Sequence, residues 1–554
     1  YEDGKLALFL CDRSALYTGE ASVDQLTATL AIFDPESGTL GTEWPVTSDN
    51  QMGVYNLRGF CSDGDKVYYQ DGSRITGIDP KTGEIKIAAY TGAGMYGGGG
   101  TTALCENGYY VTDGNSGLSA YLLNSPSLEK GALRIFGETG SEAHQKFVKA
   151  HPEISVEAAG DYASDLETLT QAMVSDTNTY DVLFLSLNYM PVDRLLQKGY
   201  CADLSGDEAL MDVARSMYPQ FGEILMKDGK LYGLPVDANA YTYSVNMDAW
   251  EALGLTEDDL PRTLLDLMDF TANWAFDYGD EYSEYYLFDW VNQSGFFSMI
   301  LSEYLTYIQK KEGKIVFNTP EFEELLRAFE DINFKELEQL HDQNEAMDME
   351  KIIFQSYTTV LPLSNFQYLD ENYRPLYLSV AEGEEPSLSV TTTVMIINPK
   401  TTRMEEAKTY MEYYVTHLPK DEGAITFFQG TSEPVESPYY ARQKKQTEKE
   451  IANAKERLEK ASEENKASIR DEISSLEEDL KYQEQNRYSI SAERIQYYQQ
   501  TMLPMLYVER QNVLYSGNQT AMTEISTLIN QYIEGAIPRD RLIRELEGRI
   551  RLMQ

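Results

Sequence analysis

The sequence predicts a chain of three parts: an all-β N-terminal region, a two-lobed α/β body, and a helical hairpin inserted into that body. Three observations predict it. A short turn recurs at a fixed spacing near the N-terminus. From Gly131 onward, strands alternate with amphipathic helices. Between 441 and 487, Lys, Glu and Gln dominate, with apolar residues at every third or fourth position.

Bulk properties bound the reading. At 554 residues the chain exceeds one domain. An apolar fraction of 42% supports real cores, and a mean hydropathy of -0.43 suits a soluble protein. No run approaches the ~20 apolar residues of a membrane span. The net charge of -44 argues against nucleic acid and anionic membrane surfaces as partners. Cys11, Cys61, Cys105 and Cys201 form no C-x-x-C pair, which speaks against a zinc ribbon or redox motif. The chain has only four His, so neither a metal nor a cofactor is expected.

In the N-terminal region, residues 1–128, Ile32-Phe33-Asp34-Pro35-Glu36-Ser37-Gly38 is echoed by Gly77-Ile78-Asp79-Pro80-Lys81-Thr82-Gly83, and more weakly by Leu122-Leu123-Asn124-Ser125. Asp34, Asp79 and Asn124 are each 45 residues apart. Phe60-Cys61-Ser62-Asp63-Gly64 likewise matches Leu104-Cys105-Glu106-Asn107-Gly108, which implies that both Cys are small buried apolar residues. The period fits one four-stranded propeller blade. Three blades are too few to close a ring, so an open or incomplete propeller is expected. A small β-sandwich is the alternative. Gly92-Ala93-Gly94-Met95-Tyr96-Gly97 matches G-x-G-x-x-G, but Gly98-Gly99-Gly100 follows instead of a helix, so it reads as a loop.

The body spans 131–440 and 488–554. Its centre is Asp228 to Trp250. Asp228-Gly229 is a turn. Lys230–Leu234 reads as a strand ended by Pro235, Ala240–Val245 as a second strand, and Asn246 and Asp248 as caps of a helix that Gly254 stops. Such a unit can carry a chain from one lobe to another. Upstream, strands are expected at 133–136, 154–158 and 180–185, with helices at 141–149 and 164–174. In the insertion, Ile451, Ala454, Leu458 and Ala461 form one stripe, and Ile469, Ile473, Leu476 and Leu480 another, with a turn at Ser462–Lys466. This predicts an antiparallel helical hairpin whose charges are solvated faces.

Gly229-Lys230-Leu231-Tyr232-Gly233-Leu234-Pro235, then Tyr243-Ser244-Val245-Asn246-Met247-Asp248, then Leu253-Gly254-Leu255, resembles the first crossover of extracellular solute-binding proteins, the ligand receptors of ABC importers. The order of segments from 131 to 255 resembles that family's opening half. Ser389–Asn398 resembles its second crossover strand. The sequence departs from the family at Phe366, where Trp is common. The resemblance implies a type II periplasmic-binding-protein-like body that closes on a small ligand, most often a mono- or oligosaccharide, and delivers it to the membrane subunits of an ABC importer. It also implies an extracellular, cell-surface location, with a lipid anchor on an N-terminal segment missing from this chain.

No G-x-S-x-G, H-E-x-x-H or P-loop is present, so an enzyme is not expected. Ligands of two-lobed α/β folds meet strand ends and helix N-termini. The loops there carry Glu138, Thr139, Asp161, Tyr162, Asn188, Asp237, Asn239, Asn365, Phe366, Thr431 and Ser432. Amides, hydroxyls, carboxylates and aromatic faces together suit a sugar. Trp290 is the leading stacking residue, with a place in the core as its alternative. A carbohydrate-active enzyme and a non-transport adhesion or sensor module remain the rival functions.

Overall fold

A computed structural model describes all residues except 2–3, 15–24, 47, 49–53, 55–56, 93–100, 115–116, 138–139, 159–161, 191, 280, 290–291, 340–347, 367–372, 510–518 and 554. The N-terminal region forms three antiparallel sheets of consecutive strands. The first joins Leu6–Cys11, Ala28–Asp34 and Thr39–Val46; the second runs from Arg58–Ser62 to Ile85–Tyr90 in four strands; the third joins Thr102–Leu104, Tyr109–Gly114 and Gly117–Leu122. The sequence repeat is a repeated turn. The Asp34 carboxylate accepts from the backbone of Glu36 and Ser37, and that of Asp79 from Lys81. Gly38 and Gly83 close the two turns at φ 68° and 76°, a conformation glycine adopts without strain. The third copy differs, since Asn124 is itself left-handed and a short helix, Pro126–Lys130, follows. The sheets are tied in series: Trp44 Nε1 donates to Pro80 O at 2.8 Å, and Tyr110 Oη to Gly59 O at 2.7 Å.

The matching Cys do not share an environment. Cys61 lies half-buried within a strand, and burial pushes its thiol up to about 11. Cys105 is exposed, because it falls just beyond the strand Thr102–Leu104 in the turn closed by Gly108.

The α/β body holds two separate hydrophobic cores. A nine-stranded sheet runs through both, in the order Val156–Ala158, Leu133–Phe136, Val182–Ser186, Leu388–Ile397, Gly233–Asn246, Ile352–Leu361, Tyr286–Phe288, with Tyr373–Leu376 and Leu506–Val508 branching from it. The chain passes between the cores at 240–243, 354–360, 366–376, 380–388 and 508–525. The first lobe thus contains 133–240 and most of 388–508, and the second contains 243–354 and the C-terminal helices Gln519–Ile533 and Arg539–Met553.

Gly233–Asn246 is one strand rather than two. Pro235 does not break it, because the pairing with Leu388–Ile397 slips between Pro235 and Asp237, where a missing N–H is tolerated. The strand's first half packs Leu234, Val236, Ala238 and Ala240 into the first core, and its second half packs Tyr243 and Val245 into the other. Asn246 caps the following helix, accepting from Ala249 N at 3.3 Å, and Gly254 ends that turn at φ 80°. The strand beginning at Leu133, the helix capped by Ser141 and the helix ending at Val174 lie where the periodicity places them.

Helices Tyr440–Lys460 and Glu463–Gln485 pack side by side. Ile451, Ala454 and Ile473 are buried between them, and Lys444–Glu484, Lys455–Glu477 and Arg457–Glu472 pair across them. The two-stranded ladder Val435–Glu436 with Tyr488–Ile490 joins their base to the first lobe. His144, the nearby His151 and the distant His417 converge on the contact between helices Glu142–Ala150 and Met404–Thr416. His144 bonds Tyr410 Oη at 2.7 Å, and the rings of His151 and His417 both contact that of Tyr413.

The crossing strand is packed without slack at its start. A β-carbon on Gly233 would lie 2.5 Å from the carbonyl oxygen of Met395 on the neighbouring strand. Gly233→Ala therefore forces the ladder apart and is expected to cost about 1–3 kcal/mol, read as a lower urea midpoint.

Candidate functional site

Where the crossing strand changes lobes, one of its faces is open. Val236, Ala238 and Ala240 are buried, whereas Asp237 and Asn239 are half-buried and Tyr241 is 46% exposed. Directly opposed residues of an antiparallel pair share a face, so Thr393 stands beside Asp237, and Thr391 beside Asn239. The next strand adds Ser186 opposite Thr393. Asn188 follows at that strand's end, and its side-chain oxygen is buried with no hydrogen-bond partner among the described residues. Together these residues form a polar ladder on the first lobe, facing the seam.

Local bonds hold the ladder in place. Asn239 Nδ2 donates to Asp237 Oδ2 at 2.7 Å, and Thr391 Oγ1 to Asn239 O at 3.3 Å. Burial raises the Asp237 carboxyl above its ordinary value, and the Asn239 bond offsets part of that rise. Tyr241 meets the 74% exposed Tyr357 edge-on, with ring centroids 6.4 Å apart. Two exposed tyrosines at the lobe junction offer the flat apolar faces that sugar rings stack on.

Both lobes contribute carboxylates. Asp289 ends the strand Tyr286–Phe288 and accepts from Ser356 N at 3.1 Å and from the Ser356 hydroxyl. Glu303 sits on the helix Gln293–Glu312. Glu509, beside the strand Leu506–Val508, is 4% exposed and accepts from Ser389 Oγ. Glu303 is half-buried. That burial, with the charge of Glu509 nearby, pushes its carboxyl up to about 8. Tyr243, on the crossing strand, is 4% exposed, and its hydroxyl has no hydrogen-bond partner among the described residues. It lies within electrostatic reach of Glu303, Tyr357 and Asp289. A buried unpaired hydroxyl costs roughly 1–3 kcal/mol, which a bound group at this point would offset.

The expected site residues fall into three groups. Asn188, Asp237 and Asn239 come together at the seam. Glu138, Thr139, Asp161 and Trp290 lie outside the described residues, as does the side chain of Tyr162. Phe366 is fully buried against Tyr497, with centroids 5.9 Å apart, and Asn365 precedes it in a single helical turn. Thr431 is tied to Phe428 and Gln499 within the first lobe, and the neighbouring Ser432 is exposed. Sequence reasoning missed Tyr241, Tyr243, Tyr357, Glu303 and Glu509. The parity of the crossing strand could have found Tyr241, which is four residues from Asp237. Among the described residues no group of acidic, His or Cys side chains could hold a metal ion.

The raised Glu303 carboxyl sets a pH dependence. The folded protein keeps this proton from the unfolded value near 4.5 up to about 8, so over that window the native state binds more protons and stability falls as pH rises. Wild type is expected to lose melting temperature between pH 5 and pH 8 relative to Glu303→Gln, measured by differential scanning calorimetry across that range.

Residues 142–416 match the family model described as bacterial extracellular solute-binding protein. Comparison with curated protein sequences gives no match. Among solved structures, an ABC substrate-binding protein from Listeria monocytogenes in complex with cycloalternan is 13% identical, with 76% of this chain and 97% of that chain covered at a TM-score of 0.45. The cyclic alpha-maltosyl-1,6-maltose binding protein from Arthrobacter globiformis is 14% identical, with coverage of 76% and 97% and a TM-score of 0.45. Maltose-bound MalE3 of T. maritima is 15% identical, with coverage of 76% and 100% and a TM-score of 0.46. The part of the chain holding three strands of the first lobe's sheet (Val156–Ala158, Val182–Ser186 and Leu388–Ile397), the crossing strand and most of the second lobe thus matches the family model of bacterial extracellular solute-binding proteins.

Proposed function

We propose that this protein is an extracellular solute-binding receptor that closes its two lobes around a carbohydrate and delivers it to an ABC importer. The observation that carries the reading is the polar, tyrosine-flanked face of Gly233–Asn246 at the point where that strand changes cores. Hydroxyls and amides from one lobe (Ser186, Asn188, Asn239, Thr391) face carboxylates and tyrosines of the other, so a ligand touching both sets favours the closed state. The family match between 142 and 416 supports this reading. In this reading Trp290 stacks on the ligand, since Asp289 before it in sequence lies at the seam. The remaining loop residues Glu138, Thr139, Asp161 and Tyr162 line the first lobe's side, and Asn365, Phe366, Thr431 and Ser432 support it. The three N-terminal sheets serve as blades of an open propeller, the helix pair 441–487 as a projecting hairpin outside the cleft, and a lipid anchor holds the receptor at the cell surface. The protein acts by binding, without catalysis.

One observation favours a second reading. A carboxyl held protonated near another carboxylate, as Glu303 is near Glu509, is the arrangement a glycosidase uses for its acid. Release of shorter saccharides from an oligosaccharide incubated with the protein would establish that reading and overturn the first.

Isothermal titration against an oligosaccharide panel tests the receptor. Wild type is expected to bind at least one member. Asp237→Ala and Tyr241→Ala are each expected to weaken that binding about tenfold or more, roughly 1.4 kcal/mol. Deletion of 443–486 with a short Gly/Ser bridge is expected to leave it unchanged. A wild type that binds no saccharide contradicts the receptor reading, and a deletion that abolishes binding contradicts the placement of the hairpin.

A further inference from the structure

The stack of N-terminal sheets ends on two exposed apolar faces. The second sheet lies between the other two: Phe9 of the first meets its Phe60 with ring centroids 4.6 Å apart, and Tyr110 of the third bonds its Gly59. Side chains alternate in direction along a strand, yet Val67, Tyr68, Tyr69, Ile75 and Ile78 are all buried, because that sheet is covered on both faces. The outer sheets alternate instead. In the first, Ala28, Leu30 and Trp44 pack on the second sheet. On its other face Leu6 and Leu40 both stand opposite Phe33, with Leu10 further along the same side, and all three Leu are exposed. In the third, Tyr110 and Tyr121 turn towards the second sheet. Tyr109 and Leu122, paired across the ladder, turn away with Leu118, which is 77% exposed.

The 45-residue repeat identifies these two faces. Phe33 corresponds to Ile78, which the first sheet covers, and Ala120 to Ile75, which the third sheet covers. The open face of the first sheet is thus the kind that receives a preceding sheet, and the open face of the third is the kind that receives a following one. Within one chain both are exposed, so they do not meet. We propose that a second copy of this chain closes the ring, the open face of each copy's third sheet packing on the open face of the other copy's first sheet. The inference rests on the reading of the sheets as blades of an open propeller and says what completes it. With three sheets in each chain, two copies make a ring within the usual range of about four to eight blades, and three copies exceed it. Two identical head-to-tail contacts about a two-fold axis close the assembly. Contiguous exposed apolar faces mark interaction sites. The net charge of -44 opposes the pairing, so added salt, which screens that charge, strengthens it.

The test is sedimentation equilibrium of the full chain at micromolar concentration, at physiological and at raised salt. The expected mass is twice the 62.8 kDa of one chain, with tighter association at the higher salt. Leu118→Lys and Leu6→Lys change residues already exposed in one copy. Each is expected to keep the wild-type fold, read by circular dichroism, and to weaken dimerisation about tenfold or more, roughly 1.4 kcal/mol. A mixture of the two variants retains one undamaged contact per pair and is expected to dimerise more tightly than either alone. A dimer indifferent to both substitutions overturns the assignment to these faces, and a mixture no tighter than its components overturns the head-to-tail contact. A trimer or larger assembly overturns the two-copy ring, and a monomer at both salts overturns the second copy as the occupant. Hydroxyl-radical labelling of such a monomer separates the two readings. Labelled Leu6, Tyr109 and Leu118 leave the open blades standing without this partner, whereas protection of all three shows sheets closed on themselves and overturns the blades as well.

Discussion

The body depends on one strand changing partners. Along Gly233–Asn239 the crossing strand bonds to Leu388–Ile397, and along Ala240–Val245 it bonds to Ile352–Leu361. Each lobe's sheet takes a neighbour from the same continuous backbone, so neither core closes without it. The exchange occurs beside two register shifts, at Ala240/Tyr241 and Thr242/Ser244. Bulges of this kind loosen the ladder and increase local twist. The irregular stretch thus lies between the lobes, where the proposed closure needs a hinge and where Tyr241 projects.

The electrostatics follow the same division. Most ion pairs of this acidic chain lie on exposed surfaces, such as Arg215 with Glu208 and Lys230 with Asp203. Surface pairs of this kind are typically worth ~0–1 kcal/mol. The seam differs in that Glu303 and Glu509 share a protein-enclosed region with a buried tyrosine hydroxyl. Glu303 held as a neutral acid avoids a second negative charge beside Glu509.

Much of the fold was legible because it is written in local chemistry. Caps such as Ser141 and Asn246, the Asp34 and Asp79 turns, and the apolar stripe of Ile451 and Ala454 depend on neighbours within a few residues. Pro235 was misleading for the converse reason: its place in a continuous strand depends on a slip against Val394, more than 150 residues away. Cys105 likewise shares its sequence frame with Cys61, but a strand that ends at Leu104 leaves it in a turn. The site was partly legible. Asp237 and Asn239 sit on the stretch that organises the chain, whereas Glu303 and Glu509 acquire meaning only through each other, across 206 residues of sequence. In a chain with 90 acidic residues nothing local singles them out.

The N-terminal sheets and the helix pair both attach to the first lobe. Arg74 pairs with Glu157, Ser73 Oγ donates to Ala158 O at 3.0 Å, and His144 bonds the Gly92 carbonyl, while the helix pair is rooted through Val435 and Ile490. The molecule is accordingly lopsided as a machine. One jaw carries all the added mass and the other moves comparatively unburdened. In the proposed receptor, rotation between the lobes displaces the lighter one further than the heavier one. To anything gripping the sheets or the helices, occupancy of the cleft is presented as the changed bearing of a single distant lobe, with the gripped surface itself unaltered.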